Sequence, residues 1–240
     1  MKLSFSNLVL ETTRRCNMKC EHCLRGAAQP VDMDREIINR VTRETDYIYS
    51  LTLTGGEPSL NADAIRHLRD AMYFHECSIG HFWLTTNARF FKPDFYDEIQ
   101  YLYGVCYEQE ACVLTISGDQ FHRRRSNVAY EMYSELPFFA DERMRDIPYD
   151  RILDEGYARK NNYGMRELEP TTKLSDTRYD AEDDELYVGD TIYVNAKGDV
   201  LFDCDLSFVN QKKYSVGNVL KSRLEDIIFG QMGAEMLAAA

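Results

Sequence analysis

Cys16, Cys20 and Cys23 fall within eight residues, at the spacing Cys-x3-Cys-x2-Cys, directly after the apolar run Asn7–Thr13 (NLVLETT). That run reads as a buried strand, so three thiols leave the end of one strand together in a polar loop. Thiolates at this spacing can wrap one small metal object, though free cysteines can also be plain core residues. There are seven cysteines in all. The first residues, MKLSFSNLVLETTRR, lack the apolar run and cleavage site of a signal peptide. An odd cysteine count in that context argues against a disulfide framework and for a cytoplasmic protein. Cys77, Cys106 and Cys112 sit on helical or strand patterns and read as packed.

Downstream, strand-like and helix-like segments alternate. Asp34–Tyr49 places Ile37, Ile38, Val41 and Thr45 at helical spacing, with Asp34 as N-cap. Ser50–Thr54 is β-rich and runs into the turn signal Gly55-Gly56-Glu57-Pro58. Asn61 caps a helix reaching His75. His81–Thr86 and Ala111–Ser117 read as strands, and Pro93–Tyr103 and Asn127–Leu136 as helices. Met144–Ile147 and Gly164–Leu168 are the expected fifth and sixth strands, and Asp176–Glu185 an acidic loop. Thr191–Asn195 and Val200–Cys204 are expected to form a hairpin, and Leu224–Leu237 a terminal helix. This strand–loop–helix rhythm is the signature of parallel βαβ units and an α/β fold. The length of 240 residues suits one domain of barrel size, or a domain with a small appendage.

A net charge of −12 repels phosphate backbones and argues against extended nucleic-acid binding. No stretch approaches the roughly 18 apolar residues of a membrane helix. Arg123-Arg124-Arg125 reads as a solvated helix entrance.

The cysteine cluster admits more than one metal. A zinc site wants four ligands, and His22 or the distant Cys204 would have to supply the fourth; the chain would then be a zinc-stabilised binding module. A simple iron–sulfur electron carrier would want a fourth thiolate. A 4Fe–4S cluster held by three cysteines keeps one iron open, which an amino-acid amine and carboxylate can chelate. S-adenosylmethionine (SAM) offers that pair. CxxxCxxC after the first strand and TGGEP after the second together resemble the radical SAM superfamily, well over roughly Leu8–Asp119 and loosely beyond.

The resemblance implies a partial (β/α)6 TIM-like barrel over residues 1–175 with one 4Fe–4S cluster on Cys16, Cys20 and Cys23. In the superfamily the residue before the third cysteine stacks on adenine, here His22. Gly55, Gly56 and Glu57 correspond to the segment that binds the methionyl amine. Asn87 and Ser117 end strands on the cofactor face of the barrel, where relatives contact the ribose or the carboxylate. Asp119 and His122 in SGDQFH suit substrate contact or proton transfer. Gly156-Tyr157-Ala158-Arg159 matches a G-R-A segment loosely, with Tyr157 in place of Arg, and stays unassigned. Residues 176–240 resemble the start of a SPASM or twitch extension. Such extensions bind auxiliary clusters, but no cysteine follows Cys204, so the segment is expected to be cluster-free. The implied activity is reductive cleavage of SAM to a 5′-deoxyadenosyl radical that abstracts hydrogen from a peptide. Glycyl-radical-enzyme activation and small-molecule or nucleotide chemistry are the alternatives. A flavodoxin or ferredoxin would supply the electron.

Overall fold

A computed structural model of the chain describes residues 2–122, 125–141 and 145–232. The first part alternates β1 (Lys2–Thr13), α1 (Arg35–Glu44), β2 (Thr45–Gly55), α2 (Ala62–His75), β3 (Ser78–Thr86), α3 (Pro93–Val105), β4 (Val113–Ile116), α4 (Asn127–Ser134) and β5 (Phe139–Ala140). After α5 (Gly156–Lys160) come β6 (Thr177–Asp180), β7 (Glu185–Val194), β8 (Asp199–Leu201), α6 (Phe208–Tyr214), β9 (Gly217–Asn218) and α7 (Leu224–Phe229). All strands join one sheet in the order β5-β4-β3-β2-β1-β7-β8-β9, with β6 on β7. Neighbours from β5 through β1 to β7 run parallel. The hairpin strands of the C-terminal segment run antiparallel. This parallel-rich sheet is the α/β, partial TIM-like arrangement expected.

Each strand sorts its side chains by the two-residue period of a pleated sheet. Leu8 and Leu10, Leu51 and Leu53, Phe82 and Leu84, and Leu114 and Ile116 belong to the main core with Ile37, Ile38, Val41, Ile65, Leu68 and Ile99 of the helices. The opposite face carries Asn7, Val9, Thr52, Thr54, Trp83 and Thr85, which line a cavity. α1 begins as expected: Asp34 accepts from the backbone N–H of Glu36 at 2.8 Å.

Several boundaries differ from the sequence expectation, each for a physical reason. α1 stops at Glu44, and Thr45–Tyr49 is strand, because Ile48 pairs in register with Phe5 on one side and Ile79 on the other and is fully buried. Cross-strand packing of β-branched and aromatic residues outweighs the helical spacing there. Asn61 occupies the N-cap position of α2 without capping it; its side chain donates to Thr12 O at 2.7 Å instead. The acidic 176–185 segment is a hairpin: β6 pairs with β7, and Asp180 accepts from Glu182 N at 2.9 Å to form the turn. The fifth strand is the two-residue β5, and residues 145–147 are not strand; Met144 lies outside the described residues, as do Arg123, Arg124 and the 233–237 portion of the expected terminal helix. Gly164–Leu168 contributes a single bridge, Leu153 to Arg166. There the N–H groups of Met165 and Arg166 bond Ile152 O, so the segment pairs with its own neighbour and not with the sheet.

The C-terminal segment is tied to β1 by buried polar groups. Glu11 and Arg14 are buried side by side, with Arg14 Nε donating to Glu11 Oε1 at 2.6 Å. Glu11 also accepts from the Tyr193 hydroxyl, from Ala196 N at 3.1 Å and from Gln211 Nε2 at 2.8 Å. Arg14 donates to Gln211 and Gln29, and its guanidinium lies over the Phe208 ring. Removing one member of a buried ion pair leaves an uncompensated charge. Glu11→Ala is therefore expected to cost about 3–5 kcal/mol in urea unfolding, against about 0–1 kcal/mol for the exposed pair partner variant Asp46→Ala. Equal costs for the two would contradict this assignment.

Candidate active site

The loop from Arg14 to Asp32 leaves β1 and folds back on its end. Arg14 N bonds Val31 O at 2.7 Å, Gln29 N bonds Arg14 O at 3.0 Å, and Met33 N bonds Thr12 O at 3.0 Å. Inside it, tight turns (Cys23 N to Cys20 O, 3.1 Å; Gly26 N to Cys23 O, 3.2 Å) turn the thiols inward. Cys16, Cys20 and Cys23 line one cavity of about 400 Å³ together with His22, Gly55, Gly56, Glu57, Asn87, Ser117 and His122. Asp119, the remaining candidate site residue, does not line the cavity and is buried beside His122.

The two glycines are required by backbone, not by empty space. A Cβ on Gly55 would meet Thr13 O at 2.2 Å, and one on Gly56 would meet Arg15 O at 2.3 Å. The close approach allows Gly56 N to bond Thr13 O at 2.7 Å and Glu57 N to bond Arg15 O at 2.8 Å. The turn after β2 is thereby locked onto the root of the cysteine loop.

Glu57 is only 2% exposed. Its Oε1 accepts from Ser59 N at 3.2 Å and Thr86 Oγ1 at 2.6 Å, and its Oε2 from Asn87 N at 2.8 Å. These bonds consume most of the carboxylate's acceptor capacity, leaving Oε2 with room for one further donor. Asn87 Nδ2 in turn donates to Asn17 Oδ1 at 2.8 Å, beside Cys16.

His22 stacks on Phe121 with ring centroids 4.1 Å apart, so one face of its ring is already covered. Burial, then the neighbouring His122, push its pKa down to about 4 despite Asp119. His22 Nδ1 is buried and has no hydrogen-bond partner among the described residues. Burial raises the Asp119 pKa, but the hydrogen bond and charge of His122 outweigh it and leave a net lowering.

Burial pushes the Cys20 thiol up to about 12, with Cys23, Cys16 and Asp119 adding to the shift; Cys16 is raised by burial as well. Thiols gathered this way resist ionisation until a cation joins them. The residues present fit an iron–sulfur centre: three inward thiols, an orphaned buried nitrogen and a backbone-lined turn share one cavity.

Much of the remaining lining is not singled out by the sequence. Asn7, Val9, Thr52, Thr54, Trp83 and Thr85 form the inward strand face, and their alternation with buried leucines was the available signal. Arg25, Cys204 and Asp205 also line the cavity. Arg25 lies over the Tyr193 ring and donates to Leu206 O at 2.7 Å. Gly156-Tyr157 proves to brace the loop, with Tyr157 N donating to Cys23 O at 2.8 Å.

Gly56→Ala forces the loop root and the turn apart. The expected result is a loss of about 1–3 kcal/mol, the usual cost of overpacking, with faster reaction of Cys16, Cys20 and Cys23 with a thiol reagent in the metal-free protein. Wild-type stability and reactivity in that variant would show that the contact yields without consequence.

Residues 10–136 match the family model described as the Radical SAM superfamily. The stretch contains the three cysteines, the GGEP turn, Asn87, Ser117 and His122. Among curated proteins, "Putative protein YfkA" of Bacillus subtilis (strain 168) is 32% identical over 68 residues, which is 27% of this chain and 18% of that protein. Among solved structures, native anSMEcpe with bound AdoMet and Cp18Cys peptide superposes with a TM-score of 0.56 at 11% identity, covering 97% of this chain and 82% of that one. Streptococcus suis SuiB bound to S-adenosylmethionine gives 0.51 at 15% identity, covering 98% and 67%. At these identities the structural likeness establishes the fold. The family match spans more than half of the chain, and this chain belongs to the radical SAM superfamily, whose enzymes use an iron–sulfur cluster and S-adenosylmethionine.

Proposed function

We propose that this enzyme holds one 4Fe–4S cluster through Cys16, Cys20 and Cys23, binds SAM at the iron they leave open, and acts on a peptide. The observation that carries the reading is the convergence of the three thiols, the Gly55-Gly56-Glu57 turn, Asn87 and Ser117 on one cavity. When bound, the cluster and SAM supply a one-electron reductive cleavage to a 5′-deoxyadenosyl radical that abstracts hydrogen from the substrate.

The chain's own residues bind, orient and exclude water. Val9, Met18, Leu24 and Trp83 give the cavity apolar walls, which protect a reactive species from solvent. Asn87 and Ser117, at the C-terminal ends of β3 and β4, are placed for the polar parts of the cofactor. Glu57 fixes the turn through Thr86 and Asn87 and keeps Oε2 for one ammonium N–H. His22, which lines the cavity and is stacked on Phe121 by one face, is the residue that meets the adenine.

Two observations support a peptide as substrate. The anSMEcpe structure that this chain resembles in fold holds AdoMet and a peptide. A second cavity of about 550 Å³, lined by Arg166, Glu167, Glu169 and Asp203, shares Cys204 and Asp205 with the first, so an extended chain has a polar path towards the cysteines. In this reading residues 1–175 are the catalytic unit and 176–240 a twitch-like cover that carries no second cluster. A low-potential flavodoxin or ferredoxin in the cytoplasm would reduce the site. No helix among the described residues is long and apolar enough to cross a membrane.

Anaerobic reconstitution with iron and sulfide should give a brown protein that releases 5′-deoxyadenosine from SAM under dithionite. Cys16→Ala, Cys20→Ala or Cys23→Ala should reduce cluster content and release to background. A colourless protein holding one zinc, or a fully loaded cluster that leaves SAM intact, would overturn the reading.

A further inference from the structure

One contact at the cysteine loop is left over by that account. Asp119, 5% exposed, accepts from Phe121 N at 2.9 Å and sits 2.8 Å from His122 Nδ1. The backbone closes the same turn, with His122 N donating to Asp119 O at 3.0 Å. At the other end of the ring, His122 Nε2 lies 3.2 Å from Cys20 Sγ. His22 packs edge-on against the imidazole, with centroids 5.2 Å apart. Both nitrogens of a half-buried ring are thus held, one by a carboxylate and one by sulfur.

The separation says what the ring does. In a 4Fe–4S cube each thiolate binds its own iron, so atoms ligating different irons lie well beyond hydrogen-bond reach of each other. At 3.2 Å, His122 is against the Cys20 sulfur and not on a neighbouring iron. A sulfur that ligates iron is a thiolate and can only accept. The imidazole is then the donor, and with an acceptor at each end it is held as the imidazolium, Nδ1–H directed to Asp119 and Nε2–H to Cys20. Hydrogen bonds to cluster sulfurs help set the reduction potential, because they withdraw negative charge and favour the more negative reduced state. Partners that orient a metal-site histidine act the same way through the ring they hold.

We propose that His122 donates an N–H···S hydrogen bond to Cys20 and raises the reduction potential of the cluster, with Asp119 as the positioning residue for the ring. This rests on Cys20 being a cluster ligand, as in the functional reading, and it gives Asp119 and His122 a task other than proton transfer to substrate. The surroundings explain the need. Asp119 and Glu57 are buried carboxylates beside the thiols, and each added negative charge makes the cluster harder to reduce.

The test is an EPR-monitored redox titration of the reconstituted protein at one pH, without SAM. His122→Leu, loaded to wild-type iron and sulfide content, should have a more negative midpoint potential. His122→Gln, which keeps an N–H donor, should recover part of the shift. In an Asp119→Asn background the His122→Leu shift should be smaller, because the two residues act as one unit. An unchanged or more positive midpoint in His122→Leu overturns the proposal, and an equal shift in both backgrounds overturns the role of Asp119. Should the leucine variant fail to load, pulsed EPR of the reduced wild-type cluster with ¹⁵N-labelled histidine decides. A weak ring-nitrogen coupling that persists in His22→Phe supports the bond, and its absence overturns it. Release of 5′-deoxyadenosine by the wild type separates the cases: with SAM cleavage intact and the midpoint unmoved, only this inference fails; without a SAM-cleaving cluster, the functional reading fails and this inference with it.

Discussion

The site depends on how an irregular loop of about twenty residues is held rigid without secondary structure of its own. The clamp is backbone to backbone. The turn after β2 bonds Thr13 O and Arg15 O, Tyr157 N of α5 bonds Cys23 O, and Phe208 N of α6 bonds Arg25 O. Side chains reinforce it: Asn161 donates to Glu21 O at 2.8 Å, and the Tyr163 hydroxyl bonds the Glu21 carboxylate at 2.8 Å. Buried backbone groups must be paired, and here the pairing is supplied by three distant parts of the chain. The loop's position therefore depends on the sheet, on α5 and on the C-terminal segment together.

That dependence explains why charge is buried so close to the site. Glu11 and Arg14 lie at the end of β1, where the strand hands over to the cysteine loop. Their contacts with Tyr193, Ala196 and Gln211 pull β7 and α6 against β1. A buried ion pair is a poor source of net stability but discriminates strongly against arrangements that leave one partner alone. Glu155 repeats the device on the other side, accepting from Ser207 N at 3.0 Å and from Asn210 Nδ2 at 2.7 Å. These two carboxylates fix the C-terminal segment at one docking position over the cavity.

Local patterns carried much of this in the sequence, and non-local ones did not. The αβ rhythm was legible through Ile37, Ile38 and Val41 and through the leucines of the strands, because each periodicity is complete within a dozen residues. The cysteine spacing and the GGEP turn were legible as motifs. What Glu57 does was not: its partners Thr86 and Asn87 lie 29 and 30 residues away, and only the parallel pairing of β2 with β3 brings them near. The hairpin at 177–188 was hidden by its acidic composition, although Thr177 and Val188 pair in register. The Asp119–His122 pair was visible, but its sulfur partner lies 102 residues from His122. A period-two reading of Thr52, Thr54, Trp83 and Thr85 would have found the cavity floor.

The electrostatics of the cavity favour a cationic ligand. Burial holds Cys16 and Cys20 in the neutral thiol form, and each neighbouring sulfur raises the cost of ionising the next. Asp119 and Glu57 add negative charge from behind. A neutral organic ligand would leave those costs in place, and an anion would increase them. A cationic metal centre lets the sulfurs ionise, since metal coordination deprotonates a thiol outright. Under the proposed function, a centre held by the three thiols with one metal position left open would share the cavity with the Gly55-Gly56 turn, Asn87 and Ser117, which is why the cysteine triad and the GGEP turn are read as one site.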